Sequence, residues 1–340
     1  MRRAGVAVAL ALVACGNRAA PAPSSEPPVA ARPAAPAKGT VVTTSFRSDA
    51  LGVDKDVVVY LPAGYDANPT KRWPVIYYLH GLTGDETNWT KLGKLDEAAD
   101  ALGLGAIIVM PDGDNSFYVD ASATPDYAAC MKDGSGLFIP TQPKAKTCVR
   151  AARYETYVVR DLVGWVDRTY RTIPAREARG IAGLSMGGYG ALVLGMRHPD
   201  AFAVVASHSG VDALLYGGPY PYEQGKVTLI TDPKLWARAL PELAAWMRGI
   251  YGDDLATWQA HDPAVLARQL APGKLALYLD CGTEDDFKLD NGMRYLHDEL
   301  VERGIEHEYY LGPGRHNFTF WKERVPHSLA FFQKHLEAAR

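Results

Sequence analysis

The stretch from Arg179 to Arg197 constrains this chain more than any other. A short β-rich run over Arg179–Leu184 passes through Gly183-Leu184-Ser185-Met186-Gly187 into a helix of small residues over Gly188–Arg197. A serine at such a strand-to-helix turn is forced into an awkward backbone conformation, and side chains at 183 and 187 would collide with the neighbouring helix and strand. Ser185 Oγ is therefore expected at the helix N-terminus, where the backbone dipole favours developing negative charge. A turn of this kind needs a parallel sheet behind it.

The rest of the chain supplies one. Strand patterns recur at Val41–Phe46, Asp56–Leu61, Val75–Leu79, Ala106–Met110, Gly180–Leu184, Val204–Ser207, Leu275–Asp280 and Glu306–Leu311. Amphipathic helical patterns separate the later ones. Tyr154–Arg171 carries Val158, Leu162 and Val166 at i+4 spacing, and Phe287–Arg303 and Phe318–Glu337 repeat the pattern. With 47% hydrophobic and 22% charged residues, the chain can fill a core of this size. The prediction is an α/β fold, a mostly parallel doubly wound sheet with helices on both faces, an antiparallel start and no internal repeat. One catalytic domain is expected over 41–340. Residues 214–272, with helix formers at Leu235–Leu240 and Leu243–Ile250, interrupt the alternation and read as a helical cap over the carboxyl ends of the strands, where ligands of such folds bind.

The chemistry falls at three turns. An acyl-transfer serine needs donors already aimed at the carbonyl oxygen as it becomes negative. Met186 N–H is one candidate. Leu82 N–H is the other, in the Gly-rich turn His80-Gly81-Leu82-Thr83-Gly84 that follows a strand. His80 itself reads as a strand-end imidazole bonded to loop backbone. The general base should lie in the loop after the last strand, and His316 in Gly312-Pro313-Gly314-Arg315-His316-Asn317 fits by chain order. His208, in Ser207-His208-Ser209-Gly210, is the competitor. The acid should come from Asp280-Cys281-Gly282-Thr283-Glu284-Asp285-Asp286-Phe287. Asp280 would brace the turn, Asp285 is first choice to orient the imidazole, Asp286 second and Glu284 third. Tyr118, Tyr189, Trp321 and the cap aromatics Tyr216, Tyr220, Tyr222 and Trp258 are candidates to line an acyl or aryl pocket.

The first forty residues have another character. Arg2 and Arg3 precede an apolar run from Ala4 to Ala14, too short to span a bilayer but right for a signal peptide. Leu12-Val13-Ala14-Cys15 resembles a bacterial lipobox, which implies removal of residues 1–14 and acylation of Cys15. From Gly16 to Thr40, six Pro and eight Ala occupy 14 of 25 positions and Val29 is the only large aliphatic residue, so residues 15–40 read as a linker reaching about 75 Å when extended. The expectation is an exported lipoprotein in the cell envelope, with membrane contact through the lipid alone. Cys130 and Cys148 flank a polar insertion and are the best disulfide pair in an oxidising compartment, worth about 3 kcal/mol in the chain-entropy model. No Cys/His cluster has metal-ligand spacing, and a net charge of −3 without a basic stripe argues against nucleic acid as a partner.

Five runs together carry a family resemblance: His80–Gly84, Met110-Pro111-Asp112-Gly113 with Ser116-Phe117-Tyr118, Gly183–Ala191, Asp280–Phe287 and Gly314-Arg315-His316. Over residues 41–338 the chain resembles the esterase D-like branch of the α/β-hydrolases, which includes S-formylglutathione hydrolases, feruloyl and acetylxylan esterases, enterochelin esterases and the antigen 85 mycolyltransferases. The resemblance implies a serine carboxylesterase, with Ser185, Asp285 and His316 as nucleophile, acid and base, acting on small, aryl or sugar esters without metal or cofactor. Leu184 stands where formylglutathione hydrolases usually carry His. The same triad would serve acyl transfer to a sugar or lipid alcohol, or thioester hydrolysis. A binding lipoprotein on the same scaffold is the non-enzymatic alternative, against which the intact triad residues count.

Overall fold

The computed structural model describes residues 37–237 and 240–337. Its strands are β1 (Thr40–Ser48), β2 (Val53–Leu61), β3 (Val75–Leu79), β4 (Ile107–Pro111), β5 (Arg179–Leu184), β6 (Val204–His208), β7 (Tyr216–Gly218), β8 (Thr228–Leu229), β9 (Ala276–Gly282) and β10 (His307–Gly312). Eight of them form one sheet in the order β1-β2-β4-β3-β5-β6-β9-β10, and β7 and β8 pair separately. β2 pairs antiparallel with both β1 and β4, while the other main-sheet pairings are parallel. All eight strand patterns in the sequence fall on these eight strands. The largest shift is in β2, which begins three residues early at Val53 because Val53 pairs with Ser48 across the hairpin.

Both faces of the sheet are covered, so the central strands are apolar throughout rather than alternating. Val75, Tyr77 and Leu79 of β3 face one core with Val158, Leu162 and Val166 of the helical segment Tyr154–Thr169, whose middle turn, Tyr157–Leu162, is a π-helix. Ile76 and Tyr78 face the other with Trp89 and the C-terminal helix Phe318–Glu337, through Val325, Leu329 and Phe332. The helix Met186–Arg197 is buried at ten of its positions, and Gly187 and Gly188 let it approach the strands closely, since a Cβ on either would lie within 2.7 Å of Leu79 O or Ser207 Oγ.

The predicted cap differs from its expectation at its start. It opens with the β7–β8 ribbon, and Leu235–Leu240 is not a helix among the described residues. A single 3-10 turn, Pro233–Leu235, ends at an extended Trp236, whose indole donates to Leu214 O at 2.7 Å and packs on Trp258. Pro241 then holds Leu240 out of the helical region, and the helix begins at Pro241 and runs to Tyr251. Two further short helices, Leu255–Gln259 and Pro263–Ala267, complete the segment. Cys130 and Cys148 are joined by a disulfide with 5.8 Å between Cα atoms, closing the insertion after β4, and Cys281 is free and buried. Cys15, the signal peptide and most of the linker lie outside the described residues, and among those described no helix is long and apolar enough to cross a membrane.

Candidate active site

Parallel register sets the loops that matter side by side. Leu79 pairs with Gly183, Leu184 with His208, His208 with Asp280 and Gly282 with Gly312, so the turns after β3, β5, β6, β9 and β10 meet at one sheet edge. Ser185 sits on the β5 turn at φ 54° and ψ −118°, a strained conformation for a residue with a Cβ. The two glycines make that turn possible. A Cβ on Gly183 would lie 2.3 Å from the Gly187 carbonyl, and one on Gly187 would lie 2.4 Å from Leu79 O in the neighbouring strand.

His316 Nε2 lies 2.9 Å from Ser185 Oγ, and His316 Nδ1 lies 2.7 Å from Asp285 Oδ2. Asp285 is fully buried, and its other oxygen accepts from Phe287 N–H at 2.9 Å and Leu289 N–H at 3.3 Å. These donors hold the carboxylate so that only Oδ2 faces the imidazole. Cys281 adds a weak contact to that oxygen at 3.7 Å, and burial pushes its thiol pKa well up, so it stays a thiol. Main-chain bonds from Thr283 and Glu284 to Gly312 O and Gly314 O stitch the acid turn to the histidine loop. Asp286, the second choice by sequence, faces the other way: it pairs with Arg315 and accepts from His316 N–H at 3.3 Å. It holds the histidine loop rather than the imidazole. Glu284 is exposed. Trp321 and Phe287 pack edge-on against His316, each ring about 5 Å from the imidazole.

Leu82 and Met186 both line the cleft at Ser185. Met186 begins its helix, so its N–H is one of the donors a helix leaves free. The loop bearing Leu82 is braced on both sides. Gly113 N–H donates to His80 Nε2 at 2.9 Å, which fixes the Nδ1–H tautomer, and Nδ1 donates to Gly81 O at 2.8 Å. Tyr118 OH donates to His80 O at 3.0 Å, and Thr83, at φ 66°, donates its N–H to Asn115 Oδ1 at 2.7 Å. Asn115 went unread in the sequence, because nothing in Asp114-Asn115-Ser116 shows that a loop 32 residues earlier would meet it.

The cleft encloses about 1380 Å³, with Leu214, Tyr216, Tyr220, Trp236 and Trp321 among its walls. Four pocket candidates do not line it. Tyr118 and Tyr189 are fully buried, the first bonded to His80 O and the second to His261 O at 2.7 Å and to Tyr251 OH. Burial raises both phenols well above their ordinary pKa, and they serve as core struts. Trp258 is likewise fully buried, and Tyr222 is bonded to Asp298 away from the cleft. A polar wall group appears in their place. Asp212 accepts from Ser207 Oγ at 2.7 Å through one oxygen, while the other has no hydrogen-bond partner among the described residues. Burial first, and then the charges of Asp280 and Asp285, push this carboxyl up to about 7.

His208, the competitor for base, is fully buried and bonded to Asp280 at 2.9 Å and to Ser328 Oγ at 3.0 Å. Asp280 also takes Tyr278 OH and Arg324, so it ties β6 and β9 to the C-terminal helix rather than bracing the turn. Among the described residues no group of three or more His, Cys, Asp or Glu side chains is placed to hold a metal ion.

A strained serine at a strand-to-helix turn, in line with a histidine and a buried carboxylate at the edge of a mostly parallel sheet, defines an α/β-hydrolase of the serine type. The chain belongs to the esterase family whose model is described as "Putative esterase", which matches residues 48–332. Members of this class hydrolyse carboxylic esters, and the chain is a serine carboxylesterase by family. It is 29% identical over 245 residues to the S-formylglutathione hydrolase of Paracoccus denitrificans, covering 71% of this chain and 74% of that one. Esterase Rv1288 of Mycobacterium tuberculosis is 27% identical over 288 residues, 80% of this chain, which spans 55% of that protein's length. The solved S-formylglutathione hydrolase from Agrobacterium tumefaciens superposes with a TM-score of 0.63 at 21% identity, over 88% of this chain and 96% of that one, and shares the fold.

Proposed function

We propose that Ser185 is the nucleophile of this esterase, His316 its general base and acid, and Asp285 the group that orients His316 and stabilises the imidazolium. Leu82 and Met186 N–H are assigned to the oxyanion. In the first half-reaction Ser185 Oγ attacks the ester carbonyl while His316 Nε2 takes its proton, and the tetrahedral oxygen is stabilised by the two amides. His316 then returns the proton to the leaving alcohol, which leaves an acyl-enzyme on Ser185. Water, deprotonated by His316, releases the acid. The observation that carries this reading is the 2.9 Å and 2.7 Å relay opening into the cleft.

The substrates proposed are small, aryl or sugar esters, supported by the aromatic walls Tyr216, Tyr220, Trp236 and Trp321. A cleft of about 1380 Å³ exceeds what a short acyl group fills. That room supports a second reading, acyl transfer to a sugar or lipid alcohol. The thioester activity named for the Paracoccus relative is a third use of the same atoms. Acylation of Cys15, with residues 15–40 as a tether holding the domain over 41–340 off an envelope membrane, remains a proposal from the lipobox-like tetrad.

Hydrolysis of p-nitrophenyl esters from acetate to laurate, with Ser185→Ala in parallel, tests the reading. Activity on part of the series that disappears in the variant is expected. Activity that survives Ser185→Ala would sink it, and product analysis with added trehalose or glycerol separates transfer from hydrolysis.

A further inference from the structure

A second cavity lies beneath the disulfide-closed insertion, beside the catalytic cleft, with Gly84 and Phe138 in the walls of both. It encloses about 340 Å³, room for about ten water-sized groups and within the range of small-ligand pockets. Its walls are mainly apolar: Val119, Leu137, Val149, Ile250 and the pair Phe138 and Trp246, whose rings stack 5.5 Å apart at 14°. Polar residues also line it, and two of them carry buried atoms left unpaired. Asp114 Oδ1 and Thr147 Oγ1 are buried polar atoms without a hydrogen-bond partner among the described residues.

The two belong to one polar corner. Asp114, whose side chain is 10% exposed, gives its other oxygen to Lys55 Nζ at 2.7 Å and to Tyr154 OH. Lys55 Nζ also donates to Lys146 O at 2.9 Å, next to Thr147, and pairs with Asp112 at 2.6 Å. Native proteins rarely leave buried polar atoms unpaired in an apolar setting, and two that line one cavity call for a partner inside it.

We propose that this cavity is a binding site for a small neutral molecule with an apolar body and one terminal hydroxyl, a phenol or alkanol, separate from the ester cleft. The hydroxyl donates to Asp114 Oδ1 and accepts from Thr147 Oγ1, and the apolar body lies along the Phe138–Trp246 side. An ammonium would crowd the Lys55 ammonium across one carboxyl group. A carboxylate would face the Asp114 carboxylate. Only a neutral group that both donates and accepts satisfies the corner.

Calorimetric titration of the full chain with 4-propylphenol, propylbenzene and hexylamine tests this without any ester chemistry, so its outcome is independent of the catalytic reading. The phenol is expected to bind one-to-one, about tenfold more tightly than propylbenzene, with hexylamine weaker than both. Thr147→Val should remove most of the phenol's advantage, and Ala152→Leu, which fills the cavity, should abolish phenol and propylbenzene binding. Should Ala152→Leu fail to fold, the near-isosteric Thr147→Val decides alone. Equal affinity for phenol and propylbenzene, a phenol advantage untouched by Thr147→Val, tighter binding of hexylamine, or no binding at millimolar concentration, which would mean a cavity for water only, each overturns the proposal.

Discussion

Two serine–histidine–aspartate clusters lie within this one domain, and only one of them is built to react. Ser185, His316 and Asp285 are joined at 2.9 and 2.7 Å, and Ser328, His208 and Asp280 at 3.0 and 2.9 Å. The residue types and spacings are nearly the same. The surroundings are not. Ser185 is held at a positive φ on a turn that opens into the cleft, which Leu82 and Met186, the residues proposed for the oxyanion, also line. Ser328 is fully buried in the C-terminal helix, donating to Val325 O and bonded to Tyr78 OH. The inner cluster joins β3, β6, β9 and the C-terminal helix. Reactivity therefore follows from access and preorganised donors, with the triad residues necessary but insufficient.

The contrast breaks most sharply at the two serines. Ser185→Ala should lower kcat/KM by about 10⁴-fold or more with little change in the urea midpoint. Ser328→Ala should leave kcat/KM near wild type and cost about 1–3 kcal/mol of stability, because His208 and Tyr78 lose a buried partner. Esterase assays and urea unfolding on both proteins check this, and the same response from both would erase the distinction.

The acids divide the same way. Asp285→Asn is expected to cost about 10⁴-fold in kcat through the wrong imidazole tautomer. Asp280→Asn should instead destabilise by about 3–5 kcal/mol, since it leaves Arg324 without its charge partner and His208 without its carboxylate partner. Circular-dichroism melts beside kinetics separate the two, and a large kcat loss in a fully folded Asp280→Asn protein would contradict the assignment.

Gly187→Ala probes the scaffold of the outer cluster alone. The new methyl would lie 2.4 Å from Leu79 O and 2.5 Å from His80 O, so the loop carrying Leu82 must move. A displacement near 1 Å costs about 10²-fold in kcat. Unchanged kcat would mean that the loop's position does not matter.

Asp212 stands between the clusters, with the charges of both Asp280 and Asp285 acting on it. Its carboxyl holds its proton up to about pH 7 when folded, against an ordinary value of 3.8. The folded state thus binds more protons than the unfolded one between these limits, and stability falls as pH rises through that window. Asp212→Asn should flatten the fall, matching wild type near pH 4 and exceeding it at pH 8 by about 2–4 kcal/mol. Urea midpoints at pH 4, 6 and 8 read this, and parallel profiles would show that Asp212 ionises freely.

Much of this contrast was open to a reader of the sequence, and the rest fails for identifiable reasons. The eight strands show in runs such as Val75–Leu79 because a sheet buried on both faces is apolar at every position. The order serine, acid, histidine separated His316 from His208 without any coordinates. Asp285 and Asp286 were harder, since neighbours on a tight turn face opposite ways and only the fold shows that Arg315 takes the second. Pocket aromatics were legible only in part: Trp321, Tyr216 and Tyr220 line the cleft as expected, and the others do not. Tyr118 and Tyr189 look like ligand-facing rings in sequence, yet each hydroxyl finds a main-chain carbonyl in the core. The cap start misled because Leu235–Leu240 has helical composition, while Trp236 docking on Leu214 O and Pro241 together prevent the helix.

The most direct test of the central claim is covalent labelling with a small fluorophosphonate, followed by intact mass and peptide mapping. One adduct per chain on Ser185 is predicted, lost in Ser185→Ala and retained in Ser328→Ala. A folded protein that takes no adduct, or takes it on Ser328, would contradict the account.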